Sequence, residues 1–435
     1  MATVANISAV LKKVYGSDYQ KMVNPDAKLY KSLKFSEKSR TGDEYIIPVF
    51  LTRSNGQTFL SSANARTAQN LQISNATTAI QAAVKGTEFR HRELIIEATV
   101  MASLSNNQAF VNTWKAIYES AMNGILYSLE EQFLSGGIGR GICATSANVS
   151  ATSTDVTIQA AYWSPAYWAG MEDLTVCFYT TNTTLVSSAA NAVFTVSAVN
   201  TDTRVIRFTG SAGGITALDA AILANTNAVN IHRGGLDSSG NLIQAFGNEC
   251  VGIHSMLTTS GSVFGISNAT YSRWKPTTYA NGSLPINFGK VTDAVAKLGN
   301  KWGSRGDIKI LVSPTSWNNI NVDEAASRVY DSSYDSKKLD VGTEGIVYHG
   351  GSGKITIESH PLVWDGFAYG FSGLEDANVW CRVGDTDITN KVPGIGDIVT
   401  KVSGTNTFEM QLLANMAPFC SRLGDQIVFT GITNT

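Results

Sequence analysis

The chain has 435 residues, 43% of them hydrophobic and 16% charged, with a formal net charge of −2. That length supplies two or three domains and a sizeable core, and the near-neutral balance excludes a globally basic nucleic-acid binder while leaving room for a local basic patch. Five scattered cysteines (Cys143, Cys177, Cys250, Cys381, Cys420) form no C-x-x-C pair, and neither a signal-peptide core nor an apolar run of membrane-spanning length occurs, so reduced, mostly buried thiols, cytosolic synthesis and no transmembrane helix are expected.

Residues 1–40 carry eight Lys/Arg against three acids, a net of +5 that leaves −7 for the remainder. Apolar residues are sparse there, with Val10, Leu11, Val14 and Tyr15 offering one helical turn. A segment that buries so little is either a solvated tail or an arm docked on another surface. Residues 43–51, DEYIIPVFL, read as a strand, and Pro48 argues for an edge position. TEFRHRELIIEATV, residues 87–100, closes a second extended stretch. Between them Thr52 to Thr77 is polar, anchored only by Phe59, Leu60, Leu71 and Ile73. Structureless loops of that length are uncommon in compact domains, and a long two-stranded arm that needs a partner surface explains it.

Ser105 to Ser135 has the period of an amphipathic helix, with Phe110, Trp114, Ile117, Tyr118, Ile125 and Leu129 on its apolar stripe. Ser105 and Gln108 have capping-box spacing, and Gly136-Gly137 supplies the stop. Such a helix is roughly 45 Å long and needs a long surface to lie on. The stripe is expected to pack on a sheet built partly from residues 407–432, leaving Lys115, Glu119 and Glu130 toward the wetter side. The glycine-rich SGGIGRGI that follows comes after a helix rather than a strand, so it fails the dinucleotide context and reads as a flexible linker. Residues 148–165 read as loop, with aromatic anchors in AYWSPAYW.

LTVCFYTT, AVFTVSAV, TRVIRFTG and NAVNIHRG, within residues 170–235, read as four short strands of a small β-barrel or sandwich, with a tight turn at Asn200 to Thr203. Residues 287–303 form a helix whose buried face is Val291, Ala294, Val295, Leu298 and Trp302. A buried strand, Asp307 to Val312, follows, and Ser313-Pro314 opens another helix carrying Trp317 and Ile320. Strands return over 345–372 with GGSG as a hairpin tip, and TFEMQLLANM and QIVFTGIT, joined by FCSRLGD, close the chain.

Chemistry is thin. GGSGK fails the phosphate-loop spacing and lacks a following hydroxyl residue, so it is a hairpin turn. The five histidines form no H-E-x-x-H pair, no G-x-S-x-G elbow precedes a helix, and Asp385 and Asp387 read as a turn rather than a metal site. No catalytic, cofactor-binding or metal-binding residue is assigned. An enzyme would need side chains that converge only in space.

The ordered set of segments resembles the major capsid proteins of tailed phages, the Hong Kong 97 (Johnson) fold. The likeness is carried by the hairpin of 45–98 leading into the helix at 105–135, by FGISNATYSRWKPTTYANGS from Phe264, by KVTDAVAKLGNKWG then IKILVSPTSWNNI, and by FEMQLLANMAPFCSRLGDQIVFTGI. It covers most of the chain outside the block at 170–235, which is similar to the inserted β-barrels of some phage coats. The resemblance implies an α+β chain divided into an N-terminal arm (1–42), an extended-loop hairpin with adjoining peripheral strands (43–100), a peripheral domain with a spine helix (101–165), an inserted β-rich domain (166–250), an axial domain (251–375) and a C-terminal return to the peripheral domain (376–435). It implies a non-enzymatic coat protein of a virion assembled in the host cytoplasm, gathering as pentamers and hexamers into an icosahedral shell around double-stranded DNA touched non-specifically. Its implied partners are itself, a scaffolding protein, a portal and a cementing protein, with no membrane and no cofactor. Lys12, Lys13, Arg53, Phe59, Leu60 and Arg66 are the expected inter-subunit contacts. Some family members crosslink through an extended-loop lysine. Here no lysine lies between Ser39 and Val84, so non-covalent shells are expected. Some members also begin with a long charged scaffolding region. This chain starts almost at the arm, so a separate scaffold, or one already removed, is expected, with the retained Met1 favouring the former. A cellular nanocompartment shell of the same fold and a β-rich virion surface or tail protein are the alternatives.

Overall fold

A computed structural model describes residues 27–53, 79–96, 107–180, 184–225, 228–237, 239–244, 246–302, 307–327, 345–350, 353–389, 399–401 and 407–434. The chain opens with helix α1 (Lys28–Ser32), strand β1 (Lys34–Glu37), β2 (Glu44–Phe50), β3 (Ala79–Lys85), β4 (Thr87–Ile96) and the long helix α2 (Asn107–Ser135). Next come β5 (Cys143–Ser150), β6 (Ser153–Ile158), β7 (Thr175–Thr180), β8 (Thr184–Leu185), β9 (Phe194–Asn200), β10 (Val205–Thr209), α3 (Ala212–Ala224), β11 (Val229–Leu236) and β12 (Leu242–Gln244). The last stretch holds α4 (Ile253–Thr258), β13 (Ser262–Val263), β14 (Ile266–Ser267), β15 (Thr277–Leu284), α5 (Phe288–Trp302), β16 (Ile308–Val312), α6 (Pro314–Ser327), β17 (Gly345–Gly350), β18 (Gly353–Ser359), β19 (Phe367–Ser372), β20 (Trp380–Thr389), β21 (Val399–Lys401), β22 (Thr407–Cys420) and β23 (Ile427–Ile432).

Three sheets organise these elements. In the first, β22 is central: β20 and β21 lie along one edge, β4 along the other, and β1 adds in parallel to β20. The second has the order β15-β23-β19-β16-β18-β17. One of its faces packs a separate core, with Val291, Ala294, Val295 and Leu298 of α5 and Ile320 of α6 on Ile308, Ile310 and Phe429, while Leu311, Tyr369 and Val428 join the main core. Ser313 caps α6 as its sequence requires, accepting the Ser316 N–H at 3.2 Å, with Pro314 first in the helix.

The third sheet runs β12-β11-β7-β9-β10-β6-β5. Its ends meet: the Arg140 N–H donates to Ile231 at 2.7 Å and the Ile231 N–H to Gly141 at 3.1 Å, closing a small barrel. Phe178, Phe194 and Phe208 fill it edge to face, which suits their quadrupoles. The four strands read from the sequence are β7, β9, β10 and β11. Residues 148–165, expected as loop, instead contribute β6 and the end of β5, because Val156 and Ile158 alternate into the barrel core. Helix α3, unexpected, lays Ile215, Leu218 and Ile222 onto the same core.

Three further expectations change. The run after α2 is not a flexible linker. A Cβ on Gly136 would stand 2.5 Å from the Cys250 carbonyl oxygen, and one on Gly139 would overlap the Ile231 carbonyl. These glycines permit close backbone approach rather than motion. The final strands do not share a sheet. β22 lies in the first, whereas β23 pairs with β15 and β19 in the second. Ile427, Val428 and Phe429 are buried on both faces, the pattern of a strand with neighbours on each side. Asp385 and Asp387 sit on strand β20, where each faces an arginine.

Candidate assembly surfaces

The end of α2 is polar and buried, against the expectation of a wet side. Glu130 is 2% exposed. Its two carboxylate oxygens accept the Leu29 and Tyr30 N–H groups of α1 at 2.7 Å each. The first N–H groups of a helix have no partner within it, so a carboxylate there satisfies them and meets the positive end of the dipole. His360 completes the site: its Nδ1 accepts from the Leu362 N–H at 3.2 Å, which leaves Nε2–H to donate to Glu130 at 2.9 Å. Beside it the Tyr30 hydroxyl donates to Asp387 at 2.7 Å. The Arg382 guanidinium covers the Tyr30 ring at 3.8 Å and donates to the Leu33 carbonyl at 2.7 Å and Asp387 at 3.0 Å. Leu29 and Leu33 are buried. From residue 28 onward the arm is therefore docked, and β1 extends the docking by backbone pairing.

Glu131, one residue on, faces the barrel. It pairs with the fully buried Arg140 at 3.4 Å and with Arg233 at 2.7 Å. Arg140 also donates to the Tyr167 carbonyl and lies over Trp168 at 5.2 Å. Glu249 binds His232 at 3.1 Å and accepts the Gly137 N–H at 3.0 Å. Burial alone would raise its carboxyl, but the bonds from His232, Gly137 and Gln132 outweigh burial and hold it low. Paired charges thus fix the barrel to α2.

The hairpin is different. β2 and β3 pair with each other, Tyr45 against Val84 and Phe50 against Ala79, and form a sheet of two. Pro48 lies on β2, bonded to β3 on one side, as an edge strand allows. One face, with Tyr45, Val49, Ala82 and Val84, is buried. The other exposes Ile46 at 42% and Phe50 at 72%.

Of the expected contacts, Arg53 is exposed where β2 has ended, while Lys12, Lys13, Phe59, Leu60 and Arg66 lie outside the described residues. In α2, Ile125 and Leu129 are buried, and the side chains of Phe110, Trp114, Ile117 and Tyr118 lie outside those described. The sequence singled out none of Glu131, Arg140 or His360. The available signal was the acidic pair Glu130-Glu131 between the apolar Leu129 and Phe133 near the end of the helix.

A cleft of about 730 Å³ separates the hairpin root from the barrel, lined in part by Arg40, Lys85, Glu88, Arg90, Gln132 and Glu249. Two of its acids are engaged, Glu88 with Arg90 at 2.6 Å and Glu249 with His232 at 3.1 Å. All five cysteines are free and buried, and burial pushes the Cys177 and Cys381 thiols up to about 11, which disfavours the nucleophilic thiolate. No group of three metal-ligating side chains occurs among the described residues. No helix among them is long and apolar enough to cross a membrane.

No family model and no curated protein matches the sequence. Solved structures do match the fold. The chain is similar to the capsid chain of the Cyanophage A-1(L) asymmetric unit, with 10% identity, 96% of each chain covered and a TM-score of 0.51. The capsid chain of a native GTA particle aligns with 8% identity over 96% of this chain and 94% of that one, TM-score 0.46. An encapsulin complex from Synechococcus elongatus aligns with 5% identity over 98% and 96%, TM-score 0.42. The α+β fold is similar to that of the cyanophage capsid chain over 96% of both chains.

Proposed function

We propose that this chain is the major capsid protein of a tailed double-stranded DNA bacteriophage, its copies gathering as pentamers and hexamers into an icosahedral head. One observation carries the reading: the fold shared with the cyanophage capsid chain over 96% of both. The hairpin supports it. Phe50 and Ile46 face solvent on a two-stranded element, an apolar surface that a single copy leaves uncovered. The role is structural rather than catalytic and belongs to the virion. Scaffolding, portal and cementing proteins are the further partners of this reading. The absence of lysine from residues 39–84 supports shells held without covalent crosslinks.

Purified particles test the reading by content and by gel. Genome-length DNA inside, with a single monomer band after boiling in detergent, is the expected result. A cargo enzyme in place of DNA would assign a nanocompartment shell, and a ladder of covalent multimers would overturn the non-covalent account.

A further inference from the structure

Helix α5 carries Lys290, Lys297 and Lys301, spaced by seven and four residues. At 100° per residue these fall within about 40° of one another, a single line along the helix. The line lies beside β15, the outermost strand of the second sheet, and each ammonium is seated on a backbone carbonyl. Lys301 donates to Lys275 at 2.6 Å, Lys297 to Thr278 at 2.8 Å, and Lys290 to Asn281 and Pro285 at 3.2 and 2.9 Å. The carbonyls neutralise no charge. They fix long side chains that would otherwise lose rotamer entropy on binding. Residues 273–301 hold five cations, with Arg273 and Lys275, and one acid, Asp293, in a chain whose net charge is −2.

We propose that this lysine ladder is a contact surface for the phosphodiester backbone of double-stranded DNA. Lys275, Lys297 and Lys301 are exposed. The exposed positions of residues 275–280 and 293–301, around Lys275, Lys297 and Lys301, include no large apolar side chain; the exposed Leu284 lies beyond them, at the Lys290 end of β15. Compact, pre-positioned ammoniums suit phosphates read without regard to sequence. Like charge also accumulates here: burial, then the Lys275 ammonium, push the Lys301 ammonium down, and Asp425 offsets this only in part. A polyanion relieves that repulsion. The inference deepens the capsid reading by naming a DNA-facing surface, yet its test needs no shell.

The full-length chain, unassembled, is titrated with a fluorescent 30-base-pair duplex of arbitrary sequence at several salt concentrations between about 50 and 200 mM. The triple variant Lys275→Gln, Lys297→Gln, Lys301→Gln is expected to bind more weakly, with a log–log salt slope shallower by about 2 to 3. The matching triple Lys→Arg variant, which keeps the charges, is expected to bind as wild type does. Circular dichroism on both separates loss of binding from loss of fold. Unchanged affinity and slope in a folded Gln variant overturn the proposal. So does a Gln variant that binds DNA normally but no longer assembles, since the ladder then serves an acidic surface of a neighbouring copy. Particles that form normally while the ladder proves inert would leave the capsid reading standing.

Discussion

The arm and the hairpin both lie at the margin of the subunit, and they are stabilised in opposite ways. The arm from residue 28 is held by its own chain, through Glu130 on two backbone N–H groups, His360 behind it, and Arg382 over Tyr30. The hairpin buries one face and leaves Ile46 and Phe50 in water on the other. Among the described residues the first has its polar groups satisfied within one copy; the second leaves an apolar face exposed, which the proposed capsid role assigns to a neighbouring surface. Closeness to the chain terminus does not decide which segment waits for a partner. The satisfaction of its polar groups and apolar faces does.

The sharpest way to break this contrast is Glu130→Ala. It orphans the His360 Nε2–H and two backbone N–H groups in a buried site, and about 3–5 kcal/mol of stability is expected to go, read by urea unfolding. The Leu29 and Tyr30 amides should lose hydrogen-exchange protection at the same time.

Acid attacks the body between the two. His254 lies at ring distances of 4.5 to 6.1 Å from Tyr162, Trp364, Phe367 and Tyr369, with its Nδ1 2.9 Å from the Tyr369 hydroxyl. Burial lowers its pKa to about 3. The unfolded chain takes up that proton near pH 6.5, the folded chain only near 3, so stability present above 6.5 is lost as pH falls between those values. By pH 4 the loss is about 3 kcal/mol, and a His254→Phe variant should show a correspondingly flatter stability–pH curve across this window.

A smaller loss, about 1 kcal/mol, is expected for Ser313→Ala, which removes the cap of α6 without touching either margin. Smallest of all, Ile46→Ser and Phe50→Ser should each change the stability of the unassembled chain by no more than about 0.5 kcal/mol, because neither side chain is buried there. A large destabilisation from either would mean that the hairpin's outer face is already covered within one copy.

Much of this was legible in the sequence wherever one local pattern decided the outcome. The period of α2, the four barrel strands, the buried face of α5 and the Ser313-Pro314 start of α6 each follow from short-range spacing. What was hidden depends on pairs far apart. Glu130 reads as a wet-face residue until His360 and the arm meet it, 230 and about 100 positions away. The glycines after α2 read as flexible until Cys250 and Ile231 crowd them. Closure of the barrel through Arg140 and Ile231 likewise has no local signature. The lysine line of α5 was present in the sequence, but the carbonyls that seat it were not.

Electron microscopy of the wild-type chain beside the Ile46→Ser, Phe50→Ser double variant tests the central claim most directly. The account predicts closed polyhedral shells for the wild type and folded, unassembled or small species for the variant. Discrete small oligomers from the wild type, or shells from the variant as abundant as those from the wild type, would contradict it.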